Sequence, residues 1–329
     1  MRRSAASMSE PYAHRKVRAM SVPAPDRLLL LDSASLYFRA FYGVPARAGG
    51  PSGIPTNSIA GFLDMIATLV TRYRPTHLAA CWDDDWRPQW RVDAIATYKA
   101  HRVAEDTADG EEVPDELGPQ VPVIAAALAA IGIPRIGAAD YEADDVIGTL
   151  ATDAGMPVDI VTGDRDLFQL VDDDSETRVL YTARGGVRQP DLITQDFLVD
   201  KYAVPTGDAY VDMAALRGDT SDGLPGVKGI GEKTAATLID EFGSLAGVRE
   251  AVASGDPRIK GARRKNLEAA SDYLDVAPLV VRVAHDVPIP DIDLRLPSDI
   301  VDPAAMSHLA VEHALTGPFD RVGTALRGL

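Results

Sequence analysis

The sequence contains a single cysteine, Cys81, so no internal disulfide can form, and a reducing, cytoplasmic setting is expected. Its six histidines are scattered, and no Cys/His cluster stands at zinc-ligand spacing. No window approaches the roughly 18 uninterrupted apolar residues of a membrane span. Positive charge is also short: 33 Lys and Arg face 49 Asp and Glu, a formal net charge of −16. Such a balance argues at first against a polyanionic partner. The charge is uneven, however. Residues 103–116, VAEDTADGEEVPDE, carry seven acids and no Lys or Arg, and read as a solvated loop. Residues 217–265 hold nine basic against seven acidic side chains, and residues 87–102 hold four against one. Two basic islands lie in an acidic chain. Residues 1–26 lack the apolar core of a signal peptide and are expected to form a disordered tail.

A chain of 329 residues, 46% hydrophobic, suits one large or two modest domains with a buried core. LLLLD (28–32), HLAACWD (77–83), VDIVTGD (158–164) and TRVLYT (177–182) are short apolar runs suited to buried strands. Residues 57–73 and 142–154 show helical periodicity between them. The alternation predicts an α/β fold, a central, mainly parallel sheet wrapped by helices. From about residue 190 the strand runs stop, which predicts a core over 27–190 and a helical region over 191–329.

Three of the four strand runs end on an aspartate, and ligands of open parallel sheets sit beyond the carboxyl ends of the strands. Asp32, Asp83 and Asp164 fall there. YEADD adds Glu142, Asp144 and Asp145 at a helix start, TGDRD adds Asp166, and GDTSD adds Asp219 and Asp222. Singly, each reads as well as a cap, a turn residue or a partner of the helix dipole. Together, these nine carboxylates at one sheet edge would repel one another without compensating charge. All-oxygen ligation points to Mg²⁺ or Mn²⁺, and so many acids point to two or more ions, the arrangement used for phosphodiester displacement.

GDTSD runs directly into GLPGVKGIGEKTA, where Gly229 and Gly231 permit a tight turn and Glu232–Glu241 reads as a helix. The first amides of such a helix face an anion without a side-chain charge. The segment at about 216–243 resembles a helix-hairpin-helix element, with Gly226, Lys228, Gly229, Gly231, Lys233 and Thr234 as candidate contacts to a DNA backbone.

LLLLDSASLYFRAFYG, YKAHR, YEADDVIGTLA, TGDRDLFQLV and GDTSDGLPGVKGIGEKTA together resemble the bacterial 5′ nuclease family, the 5′→3′ exonuclease domain of DNA polymerase I and its flap endonuclease relatives. The resemblance runs from about Leu28 to the end, in the family's order. It implies a PIN-like core, and it places the family's metal acids on the nine positions above. It also implies hydrolysis of a phosphodiester near the junction of a 5′ flap, leaving a 5′-phosphate and a 3′-hydroxyl, with DNA flaps, nicks or ends, RNA-primed ones included, as partners. Arg91, Lys99 and Arg102 match the substrate-clamping segment, an arch at about 87–122. Arg39 is expected to meet the phosphate, and Tyr37, Phe38 or Tyr98 to stack on an unpaired base unless they are core. Two departures stand out. The chain ends soon after the nuclease portion, so it is expected to act without a polymerase, as a monomer. The acidic run falls in the arch, where it would repel a threaded strand, and it is expected to stay outside the DNA path. Two other classes remain open. One is a metal-stabilised DNA-binding module without catalysis. The other is a haloacid dehalogenase-type phosphatase, which needs an aspartate where this chain has Ala34.

Overall fold

The computed structural model describes residues 25–329 apart from 47, 48, 106, 108, 109 and 153, so the expected tail lies almost wholly outside the described residues. Six strands form one sheet in the order β3-β2-β1-β4-β5-β6. β1 (Leu28–Asp32), β2 (His77–Cys81), β3 (Arg135–Ile136), β4 (Val158–Thr162) and β5 (Thr177–Tyr181) are parallel, and β6 (Asp191–Ile193) is antiparallel to β5. Between the strands run α1 (Ser33–Gly43), α2 (Asn57–Tyr73), α3 (Gln89–Ala94), α4 (Gln120–Ile131) and α5 (Ala143–Ala151). After β6 come α6 (Gln195–Tyr202), α7 (Gly207–Arg217), α8 (Glu232–Phe242), α9 (Leu245–Ala253), α10 (Gly261–Ala269), α11 (Ser271–Val281), α12 (Pro303–Glu312) and α13 (Thr316–Arg327).

LLLLD reads as an unbroken apolar run because both faces of β1 are covered. Successive side chains alternate faces. Leu28 and Leu30 join a core with Val146 and Ile147 of α5, Met213 of α7 and Ile239 of α8. Leu29 and Leu31 join another with Ile59, Phe62 and Ile66 of α2. Phe319, Val322 and Leu326 of α13 belong to that second core. The helical region expected over 191–329 is therefore not one unit, because its last helices return to the sheet. Strand β6 likewise begins where strands were expected to have stopped. Among the described residues, the arch at 87–122 holds only the short α3, a 3-10 turn at Ala100–Arg102, an isolated bridge between Val103 and Glu111, and the start of α4.

Candidate active site

β1, β2 and β4 all end at one edge of the sheet, above a cavity of about 270 Å³ lined by Asp32, Asp83, Glu142, Asp144, Asp164, Lys99 and Arg102 among others. The backbone fixes each acid. Asp32 caps α1, accepting from the Ser35 amide at 3.1 Å, and from the Thr162 hydroxyl of β4 at 2.6 Å. Asp83 accepts from the Ala143 amide at 2.8 Å, which ties the end of β2 to the start of α5. Asp164 accepts from the Asp166 amide at 2.9 Å. Asp219 and Asp222 flank a 3-10 turn between α7 and α8, where the Ser221 amide donates to Asp219 at 2.9 Å.

The acids interact as two groups that share Asp164. Burial, then the charges of Asp83 and Asp164, push Asp32 up to about 7 against the hydrogen bond from Thr162. Asp144 is pushed well up by burial and then by Asp164 and Asp32. On the other side, burial followed by Asp164, Asp222 and Asp219 pushes Asp166 well up. Burial also raises Asp83 and Asp222, although Lys99 opposes both shifts. Asp219 differs: burial acts upward, but hydrogen bonds from Ser221 and Arg165 outweigh it and hold the carboxyl low. Ionising such neighbours together requires a counter-charge.

The donor set fits hard divalent cations. Every candidate ligand is a carboxylate oxygen, and no histidine or cysteine lines the cavity. Among the described residues no three His, Cys, Asp or Glu side chains close around one point as a cage. Mg²⁺ does not require one, because it keeps several waters and uses one or two carboxylates.

Not every predicted residue faces the cavity. Asp145 is fully buried, and both its oxygens are taken: the Arg91 guanidinium donates to them at 2.7 Å each, and the Ala284 amide donates at 2.7 Å. The assignment of Arg91 to a substrate clamp is corrected accordingly. It is 2% exposed, binds Glu142 at 2.8 Å as well as Asp145, and its guanidinium lies over the Trp90 ring. Tyr98 is corrected too: it is buried and donates its hydroxyl to Glu142 at 2.6 Å, so it offers no stacking face. Tyr37 packs against Trp82, whereas Phe38 lines the cavity. Arg39 donates to the Ala183 carbonyl at 3.3 Å and is not among the cavity residues.

Lys99 and Arg102 do face the acids. Lys99 pairs with Glu142, and its backbone is left-handed (φ 47°), with its N–H donating a hydrogen bond to the Asp222 carbonyl at 2.9 Å. Arg102 pairs with Asp222 at 2.7 Å. Glu111 was missed. The acidic run does not stay clear of the cleft, since Glu111 lines the cavity and is pushed up by burial and by Asp83. The Val103–Glu111 bridge turns it inward, and a two-residue contact of this kind leaves no periodicity to read. Trp86 and Ser35 also line the cavity without a preceding signal.

Beside Asp219, the chain turns at Gly226, whose φ of 61° and close approach to the Gly218 amide leave no room for a side chain. Gly231 then caps α8 without a side-chain hydrogen bond, and the amides of Glu232, Lys233 and Thr234 meet no acceptor among the described residues. Glu232, whose charge would repel an anion there, is drawn aside by Arg217 at 3.4 Å. Lys228 and Lys233 are exposed and carry no ion pair among the described residues. Asp219 and Asp222 and the open amides of α8 are thus joined by one short stretch of backbone.

Residues 27–203 match the family described as 5′-3′ exonuclease, N-terminal resolvase-like domain, and residues 205–299 match 5′-3′ exonuclease, C-terminal SAM fold. A 5′-3′ exonuclease of Streptomyces coelicolor is 56% identical over 301 residues, covering 91% of this chain and 99% of its own. DNA polymerase I of Mycobacterium bovis is 41% identical over 281 residues, covering 83% of this chain but 29% of the polymerase. The structure resembles that of a bacteriophage T5 flap endonuclease in a complex with DNA and metal ions, with a TM-score of 0.60 over 92% of this chain and 98% of the other, at 17% identity. An acid-lined sheet edge, a glycine-spaced helix start and close relatives over nine-tenths of its length agree: the chain belongs to the 5′-3′ exonuclease family.

Proposed function

We propose that the chain is a structure-specific 5′ nuclease that hydrolyses DNA near single-strand/double-strand junctions and leaves 5′-phosphate and 3′-hydroxyl ends. The observation that carries this reading is the meeting of the cavity acids with the open amides of α8 through the Asp219–Gly231 segment. Two or more Mg²⁺ or Mn²⁺ ions fit the two acid groups. Bound there, they would supply Lewis-acid stabilisation of the phosphoryl group and a nucleophilic water at neutral pH. Asp32, Asp83, Glu142, Asp144 and Asp164 would hold one side of the set, and Asp166, Asp219 and Asp222 the other. Asp145 and Arg91 act behind them by fixing Glu142. Lys99 and Arg102 offer positive charge to the phosphate at the cavity mouth, and Phe38 offers a ring to an unpaired base. The α8 amides, with Lys228 and Lys233, hold the duplex backbone irrespective of sequence. Every group comes from one chain, which suits a monomer, and buried Cys81 suits the cytoplasm. Labelled flap, single-stranded and blunt duplex DNA, each incubated with Mg²⁺ or Mn²⁺, test the reading: cutting concentrated at the flap junction supports it, and indifference to the junction refutes it.

Divalent ions should raise the melting temperature, and more so at pH 8 than at pH 5. Asp32 is raised from 3.8 to about 7 in the fold, so the unfolded chain ionises first and stability from this group is lost as pH climbs between those values. A cation that binds the ionised acids reverses that loss by mass action. Thermal unfolding in chelator and in millimolar Mg²⁺ or Mn²⁺ measures it. Equal increments at both pH values, or none, would contradict the acid grouping.

Lys228→Ala combined with Lys233→Ala should weaken flap binding equally for unrelated sequences and make the salt dependence shallower by roughly one to two units, for two lost phosphate contacts. The stabilisation by divalent ions should be unaffected. Binding titrated across NaCl concentrations decides it, and an unchanged slope would move the duplex off this loop.

A further inference from the structure

Most arginines near acids in this chain are in ion pairs, but a second set of cations beside the α8 loop is not. Asn266 of α10 donates its side-chain amide to the Lys228 carbonyl at 2.8 Å, so α10 is fastened to the loop that precedes α8. Around that attachment stand Lys260, Arg263 and Lys265, all exposed and none in an ion pair or side-chain hydrogen bond among the described residues. The middle member of the RRK run behaves differently. Arg264 turns inward and donates to the carbonyls of Ile259 at 2.9 Å and Val252 at 3.0 Å, where it fastens the end of α9 to α10.

Helical geometry decides which charges share the loop's side. At about 100° per residue, Arg263 and Lys265 flank Asn266 on either side, roughly 60° and 100° away, while Glu268 lies nearly opposite at about 160°. Glu268, the one acid of α10, is therefore turned away from the loop, while Arg263 shares the loop's side and Lys265 stands at its flank. Asp256 and Glu241 are engaged by Arg258. Within a protein of net charge −16, this leaves five cations without ion pairs among the described residues, Lys228, Lys233, Lys260, Arg263 and Lys265, on two segments joined by the Asn266 hydrogen bond.

We propose that α10 is a second grip on the duplex, extending the phosphate track of the α8 loop along the same DNA arm through Lys260, Arg263 and Lys265. The partner is the phosphate backbone of double-stranded nucleic acid, because several exposed cations free of acidic partners match a repeating anion and read no base. The inference rests on the duplex-holding role of the α8 loop, and the test separates the two. Exposed side chains without partners leave the fold intact when truncated, which thermal unfolding checks.

The experiment measures flap-DNA affinity by fluorescence anisotropy in Ca²⁺ over a range of NaCl, for the parent, for Lys260→Ala/Arg263→Ala/Lys265→Ala, and for Lys228→Ala/Lys233→Ala. Each phosphate contact contributes about 0.9 to the slope of log affinity on log salt, so each accounts for roughly 3.5-fold between about 50 and 200 mM. The α10 variant should lose less affinity than the parent over that range by roughly forty-fold, with the same change on duplexes of unrelated sequence. A parental slope in the α10 variant, with a shallower one in the loop variant, overturns the second grip and keeps the first. Parental slopes in both overturn the duplex track altogether.

Discussion

Asp144→Asn and Asp166→Asn should each lower flap cleavage by on the order of a thousandfold, about 4 kcal/mol of transition-state stabilisation, while flap binding stays close to the parent's. The substitution keeps the shape of the side chain and removes the negative charge that an ion needs. Asp144 interacts with Asp32 and Asp164 at the cavity, and Asp166 interacts with Asp164, Asp219 and Asp222 beside it. The two variants therefore interrogate the two acid groups separately. Each removes repulsion as well as a ligand, so stability in chelator should hold or rise, which distinguishes lost chemistry from lost fold. Single-turnover cleavage at saturating Mg²⁺ or Mn²⁺ gives the answer. Near-parental turnover in one variant would release its group from the reaction.

Arg91→Ala should cost about 3–5 kcal/mol of stability, because it leaves buried Asp145 without a cation and Glu142 with Lys99 alone. Asp145 is fully buried and Glu142 nearly so, and the guanidinium reaches both. Burial acts against the charge on Arg91, but Asp145 and Glu142 hold it protonated far above the ordinary range. Denaturant unfolding at pH 7 would show the loss. Cleavage should fall too, through displacement of Glu142, but binding per folded molecule should change little. A variant as stable as the parent that binds flaps poorly would instead return Arg91 to the DNA.

The contrast between Arg91 and Lys99 shows what the sequence can convey. Both lie in the same basic island, and nothing in their spacing separates a cation that holds two acids from behind from one that stands beside the cavity. That difference arises from the turn between them: α3 points Arg91 at the 280–284 backbone, where it donates to the Val280 carbonyl at 3.2 Å, while a left-handed residue at Lys99 redirects the chain. The acids were legible because strand ends, a helix start and a turn impose their own patterns, and LLLLD and residues 57–73 fold as their periodicities predict. β3 and β6, of two and three residues, carry too few positions to show any period. Each exists because a neighbouring strand offers its edge, which is a property of the folded sheet. Glu111 belongs with them, since only the bridge to Val103 turns it toward the cleft.

The return of α13 to the sheet bears on how the protein is made. Leu29 and Leu31 are among the first described residues to leave the ribosome, but the layer that covers them is finished by Phe319, Val322 and Leu326 near the other end of the chain. Until those residues emerge, the α2 side of the sheet keeps an open apolar seam, and at about 5–20 residues per second that exposure lasts for roughly a quarter to a whole minute. The half of the core built on α5 and α7 waits nearly as long, since Val283 and Val287 belong to it. Nascent molecules should therefore offer holding chaperones both faces of the sheet, the α2 face for longest, and release from that face should coincide with the docking of α13.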